Sequence, residues 1–128
     1  KDDLDVSFLS KIEKNLFFAT LKNRNLLEES LKELNKGKVD PIYFGDLLNR
    51  QHIILRDDLN VSTRKIESML SASKQAGAFG GKINGSGGGG CMFAYAPDNP
   101  KKVADAIESV GGRAYIIEKD EGTKILFK

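Results

Sequence analysis

Apolar residues recur every three or four positions through residues 6–73, the spacing of helices that bury one face. Phe8, Leu9, Ile12 and Leu16 form a first stripe, and Leu27, Ser30, Leu31 and Leu34 a second that stops at Gly37, a residue suited to a helix C-terminus. Both stripes predict core-facing helices. Asp40-Pro41 then offers an N-cap with proline in the first turn, and Phe44, Leu47, Leu48, Gln51 and Leu55 share one face of a third helix that ends near Asp57. Ser62 or Thr63 caps a fourth helix, with Ser62 the favoured cap; it buries Ile66, Met69 and Leu70 and closes at Gly77 after Lys74.

The period changes after Gly77. Residues 79–83 and 92–96 are short apolar runs on either side of a glycine stretch, which suits two strands and a connecting loop. Asp98 or Asn99 with Pro100 opens a further helix carrying Val103, Ile107 and Val110, and Gly111-Gly112 ends it. Residues 113–118 and 123–127 alternate like a hairpin that turns at Asp120-Glu121-Gly122. The pattern predicts a mainly helical part over residues 1–76 and a β-loop-β-α-β-β order over 77–128. Together these make one α+β domain, a ferredoxin-like small antiparallel sheet backed by helices with an N-terminal helical segment.

Charge and cysteine content narrow the partners. The 20 Lys and Arg nearly balance 18 Asp and Glu, with signs interspersed, so no basic patch is dense enough to favour nucleic acid. A single cysteine, Cys91, allows neither an internal disulfide nor a cysteine-based zinc site, and a reducing, cytoplasmic setting is expected. No apolar run approaches the roughly 20 residues of a membrane span, and the start Lys1-Asp2-Asp3-Leu4 does not resemble a signal peptide, so no membrane partner is expected. Lys1 stands where an initiator Met would, which leads us to expect a piece of a longer protein.

Gly85, Ser86, Gly87, Gly88, Gly89 and Gly90 satisfy G-x-G-x-x-G as a string, but a dinucleotide fingerprint needs a helix directly afterwards, and residues 91–96 read as a strand. No G-x-x-x-x-G-K-[ST] run occurs either, so a Walker-type phosphate loop is absent. Five glycines in six positions cost backbone entropy and bury nothing by themselves. Two readings stay open on the residues alone: a loose hairpin tip, or a loop whose successive N–H groups form a concave anion site with the Ser86 hydroxyl added.

The stretch Gly77-Ala78-Phe79-Gly80-Gly81-Lys82-Ile83-Asn84-Gly85-Ser86-Gly87-Gly88-Gly89-Gly90-Cys91 resembles the third signature of the GHMP kinases, the superfamily of galactokinase, homoserine kinase, mevalonate kinase and phosphomevalonate kinase. Upstream, Phe44-Gly45-Asp46-Leu47-Leu48, then His52, then Leu55-Arg56-Asp57-Asp58-Leu59-Asn60-Val61-Ser62 is similar in order and spacing to the galactokinase stretch before that loop. The resemblance runs from about residue 44 to 128, while residues 1–39 fit only as helical filler. Two features depart from galactokinases: Thr63-Arg64-Lys65 stands where they usually carry proline and acidic residues, and the loop is all glycine after Ser86 where theirs often holds an aromatic residue. The all-glycine form, with Gly80-Gly81-Lys82, looks closer to mevalonate, heptose or fucose kinases of the same superfamily.

The resemblance implies the C-terminal portion of an ATP-dependent sugar kinase, most like galactokinase, that moves the γ-phosphoryl of ATP to a hydroxyl. It implies ATP and Mg²⁺ as cofactors, bound mainly by an N-terminal domain that also carries the Gly-Leu-Gly-Ser-Ser type phosphate loop and the catalytic aspartate, none of which is in this sequence. No catalytic or metal-binding residue is therefore expected here, and the fragment alone is expected to be inactive. The family's role for the C-terminal loop, shaping the phosphate and substrate region, carries over to Gly85, Ser86, Gly87, Gly88, Gly89 and Gly90. Another GHMP kinase, or a non-catalytic ferredoxin-like ligand-binding module, is the alternative. The partners implied are a sugar, ATP and the protein's own N-terminal domain, with weak self-association through an apolar patch.

Other candidates have plainer readings. His52, the single histidine, sits at the edge of a helical stripe, where packing or hydrogen bonding is expected ahead of catalysis. Asp57 and Asp58 suit a solvated helix end. Cys91 is expected to be a small buried strand residue, and Arg64-Lys65 a solvated basic turn.

Overall fold

A computed structural model describes residues 6–120 and residue 122. Ser10 opens helix α1 (Lys11–Leu34) with a reciprocal cap: its hydroxyl accepts from the Glu13 N–H, and the Glu13 carboxylate accepts from the Ser10 N–H. The two helices expected here are one continuous helix, because residues 17–26 contain no glycine or proline to break it. Its inward face also differs from expectation. Ala19, Leu26 and Glu33 are buried, whereas Ile12 is 73% and Leu27 59% exposed, with Leu16, Leu31 and Leu34 also outward. Residues spaced by seven lie on one line of a helix, and here that line is a small apolar residue, a leucine and an acid.

Polar contacts fasten α1. The buried Glu33 carboxylate accepts from Lys36 Nζ at 2.6 Å and from the Asp40 N–H at 2.7 Å. Asp40 in turn caps helix α2 (Pro41–Ile53), accepting from the Ile42 and Tyr43 N–H groups. One helical turn earlier, both Arg50 nitrogens donate to Glu29 at 2.9 Å and the Tyr43 hydroxyl donates at 2.6 Å.

Helix α2 continues into a single π-helical turn (Ile54–Asp58), closed by the Leu59 N–H donating to the Ile54 carbonyl. Asn60, at φ 53, reverses the chain in the left-handed region. Helix α3 (Arg64–Gln75) is capped by Thr63, whose hydroxyl accepts from the Ile66 N–H, and not by Ser62. Asp57 pairs with Arg56 and Asp58 accepts from Lys22 on α1 at 2.7 Å, so both carboxylates are used as surface ties.

Strands β1 (Gly80–Asn84) and β2 (Cys91–Tyr95) pair antiparallel, with Gly80 opposite Tyr95 and Asn84 opposite Cys91. Ile83 turns to one face, packing with Ile66 and Met69 of α3 in a core that helix α4 (Pro100–Ser109) closes through Ile107. The α+β class holds, but the sheet has two strands among the described residues. Among the described residues no strand is assigned over 113–120, where Tyr115 (70%) and Ile117 (82%) are exposed; the second half of the expected hairpin, 123–127, lies outside the described residues. Lys65 is not a free basic turn: its ammonium donates to the Val110 carbonyl at 2.6 Å, satisfying the C-terminus of α4. Arg64 is exposed.

Helix α2 meets β1 backbone to backbone. A Cβ on Gly80 would lie 2.0 Å from the Gly45 carbonyl oxygen, and one on Gly45 would lie 2.5 Å from the carbonyl of Phe79. Gly80→Ala or Gly45→Ala is expected to cost about 3 kcal/mol, the upper part of the range for overpacking, read as a lowered urea midpoint.

A second expectation concerns acid. Hydrogen bonds from Arg50 and Tyr43 pull the Glu29 carboxyl from its ordinary 4.5 down to about 2. A depressed carboxylate stabilises the fold above its ordinary value and loses that contribution as pH falls toward the depressed one. The melting temperature should therefore drop between pH 4.5 and about 2, and Glu29→Gln should make that drop shallower.

Candidate functional site

The glycine loop leaves β1 at Gly85 and returns at Cys91. Gly85, Gly87, Gly88, Gly89 and Gly90 all have positive φ, from 75° to 133°, a backbone that costs other L-residues about 1–2 kcal/mol each. The glycines are therefore required by the backbone path. The loop is also attached. The Gly88 N–H donates to the Val61 carbonyl at 2.7 Å, and Gly87 lies so close to Val61 that an added Cβ would sit 2.6 Å from the valine Cβ. At Gly88, Gly89 and Gly90 no atom lies within 4 Å of the corresponding position, so the outer side of the loop is open. Ser86 is exposed beside them.

Such a loop can hold an anion. Successive backbone N–H groups in a turn can line a concavity that accepts an anion, and the Gly88 N–H, already given to Val61, is not among those free to do so. Lys82 lies on the strand that enters the loop. Burial pushes its ammonium below the ordinary lysine range; Nζ donates to the Ile83 carbonyl at 2.8 Å and lies 5.5 Å from the centre of the Phe93 ring. Cys91, expected to be buried, is an exposed free thiol, because the first residue of β2 sits at the loop mouth and not over the α3 core.

A second group of polar residues sits behind the loop. His52 is buried at the C-terminal end of α2, and its Nε2 lies 2.8 Å from Glu67 Oε1 on α3. The same oxygen accepts from the Ser62 hydroxyl, and Glu67 Oε2 lies 3.6 Å from the Arg56 guanidinium. Burial pushes the Glu67 carboxyl up, but the hydrogen bonds from Ser62 and His52 and the nearby cationic groups outweigh it and leave the group below its ordinary value. His52 is therefore hydrogen-bonded inside the fold, as expected. Residues of this group line a cleft of about 290 Å³ between α2 and α3 that no loop glycine borders.

Glu67 was not legible as a special residue. It is the one carboxylate on an amphipathic helix whose apolar positions carry the sequence signal, and its partner His52 lies fifteen residues away, beyond any local motif. Asn49 escaped notice for the same reason: its amide accepts from the Gly81 N–H and donates to the Phe79 carbonyl, holding the entry to β1.

Among the described residues, no group of three or more His, Cys, Asp and Glu side chains is arranged to hold a metal ion.

Comparison with known proteins follows the same segments. The family described as GHMP kinases C terminal matches residues 23–113. The match begins inside α1, so residues 23–39 of the stretch that fits the resemblance only as filler are part of the family's domain. Mevalonate kinase of Thermococcus onnurineus is 45% identical over 96 residues, covering 74% of this chain and 28% of that protein. Mevalonate kinase of Pyrococcus abyssi is 39% identical over 110 residues, covering 82% and 32%. Galactokinase of Clostridium perfringens is 34% identical over 86 residues, covering 66% and 21%. The crystal structure of L. major mevalonate kinase in complex with R-mevalonate superposes with a TM-score of 0.56 at 25% identity, over 80% of this chain and 34% of that one. The chain thus spans about a third or less of these relatives, and galactokinase, the expected nearest type, is a weaker match than the mevalonate kinases.

The loop geometry separates two kinds of glycine. Gly85→Ala, which meets only the positive φ, should cost about 1 kcal/mol, whereas Gly87→Ala, which also collides with Val61, should cost about 3 kcal/mol in urea unfolding.

Proposed function

The chain belongs to the family of GHMP kinase C-terminal domains, and from that membership we propose that it forms the glycine-loop portion of an ATP-dependent kinase acting on a hydroxyl of a small molecule. The observation that supports this most directly is the loop itself: a positive-φ glycine run between two paired strands, tethered at Gly88 and open at Gly89 and Gly90. Bound ATP would supply the phosphoryl group. Phosphoryl transfer asks the protein mainly for positioning and charge stabilisation, and a rigid set of N–H donors supplies both without reorganising as charge moves.

In this reading the loop amides other than that of Gly88, which is given to Val61, hold phosphoryl oxygens together with the Ser86 hydroxyl. Tethering to Val61 keeps the donors from collapsing toward each other. The described residues present no group of three or more His, Cys, Asp and Glu side chains fit for Mg²⁺. For the acceptor, the mevalonate kinase relatives favour mevalonate over galactose.

The deciding experiment is ATP-dependent phosphorylation by the full-length protein, with mevalonate, galactose, fucose and heptose offered in parallel and the 128-residue chain run alone. Turnover of mevalonate by the full-length protein, with none by the chain, is expected. Preference for galactose would overturn the acceptor assignment, and inactivity on all four would leave a ligand-binding module as the better description.

A further inference from the structure

A glycine loop cannot hold its own shape. It has no side chains to pack and more backbone freedom than any other sequence, so its conformation must be imposed from outside. Here Val61 imposes it, with its carbonyl accepting from Gly88 and its side chain bearing on Gly87. What places Val61 is therefore what places the loop.

Val61 lies between two fixed points. On one side, its own N–H donates to the Leu55 carbonyl at 3.0 Å, after the left-handed turn at Asn60. On the other, the adjacent Ser62 gives its hydroxyl to Glu67 Oε1, which also takes His52 Nε2 at 2.8 Å. An ionised carboxylate only accepts, so Ser62 and His52 are both donors in this arrangement. One oxygen thereby joins the end of α2, the first half of α3 and the connector that carries the loop's anchor.

We propose that Glu67 is a positioning residue for the glycine loop: bound by His52 and Ser62, it fixes the Val61 carbonyl, and that carbonyl fixes Gly88. The consequence for catalysis rests on the kinase reading above; the structural link does not. Ser62 thus serves the loop by way of Glu67, while Thr63 caps α3.

The test is amide exchange in the 128-residue chain, followed by NMR at Gly88, with Leu26 in α1 and Leu47 in α2 as controls of the fold. Glu67→Ala should speed Gly88 exchange by roughly tenfold or more, the loss of about one hydrogen bond's worth of protection, with both controls unchanged. Glu67→Gln keeps an acceptor oxygen and should restore most of the protection. If Glu67→Ala also strips the controls, Ser62→Ala, which removes one hydroxyl, carries the test with the same expectation. Gly88 exchange within roughly twofold of the unaltered chain, in whichever of these variants remains folded, would overturn the proposal. In the full-length protein, Glu67→Ala should lower kcat more than it raises KM, with Glu67→Gln recovering the loss. A Gly88 effect without a kcat effect would reject the catalytic consequence, whereas inactivity of the unaltered full-length protein would reject the kinase reading and leave the exchange result standing.

Discussion

The close approach of two backbones, Gly45 on α2 and Gly80 on β1, is the constraint on which the other placements rest. With no side chain between them, helix and strand come near enough for Asn49 to reach the main chain on both sides of Gly80. The same approach sets the rotation of α2. One turn beyond Asn49, His52 then points to α3 and meets Glu67. A methyl group at either glycine would separate the elements and lengthen every one of these contacts.

Attachment of α1 follows a different logic. Its inward line packs Ala19 and Leu26 with Leu47 and Ile54, and beside that small apolar contact stand the polar ties of Glu29 with Arg50 and Tyr43, and of Glu33 with Lys36 and the Asp40 N–H. The richer apolar stripe through Ile12, Leu16, Leu27, Leu31 and Leu34 faces outward.

The loop brings both features together. Its glycines give a path that exposes N–H groups, but freedom of that kind opposes a defined site unless the rest of the fold removes it. Val61 removes it, standing at the end of a chain of contacts that runs from the Gly45–Gly80 approach through His52, Glu67 and Ser62. For a kinase, whose chemistry demands fixed donors, such a chain links ordinary packing to the site.

Helices α2, α3 and α4, the two strands and the loop between them were readable from period, caps and glycines, because each of those signals is local: Asp40 next to Pro41, Gly77 after Lys74, the run after Asn84. The family resemblance was readable for the same reason, being carried by one continuous stretch. The inward face of α1 was not, since periodicity says that a stripe exists and not whether anything packs on it, and here it is Ala19 and Leu26, on another face, that meet Leu47 and Ile54. Nor were Glu67 and Asn49, whose partners lie fifteen and about thirty residues away. Local chemistry in the chain thus specifies the elements and the loop, while the pairing of distant side chains, which depends on how closely two backbones can approach, assigns Glu67 and Val61 their work.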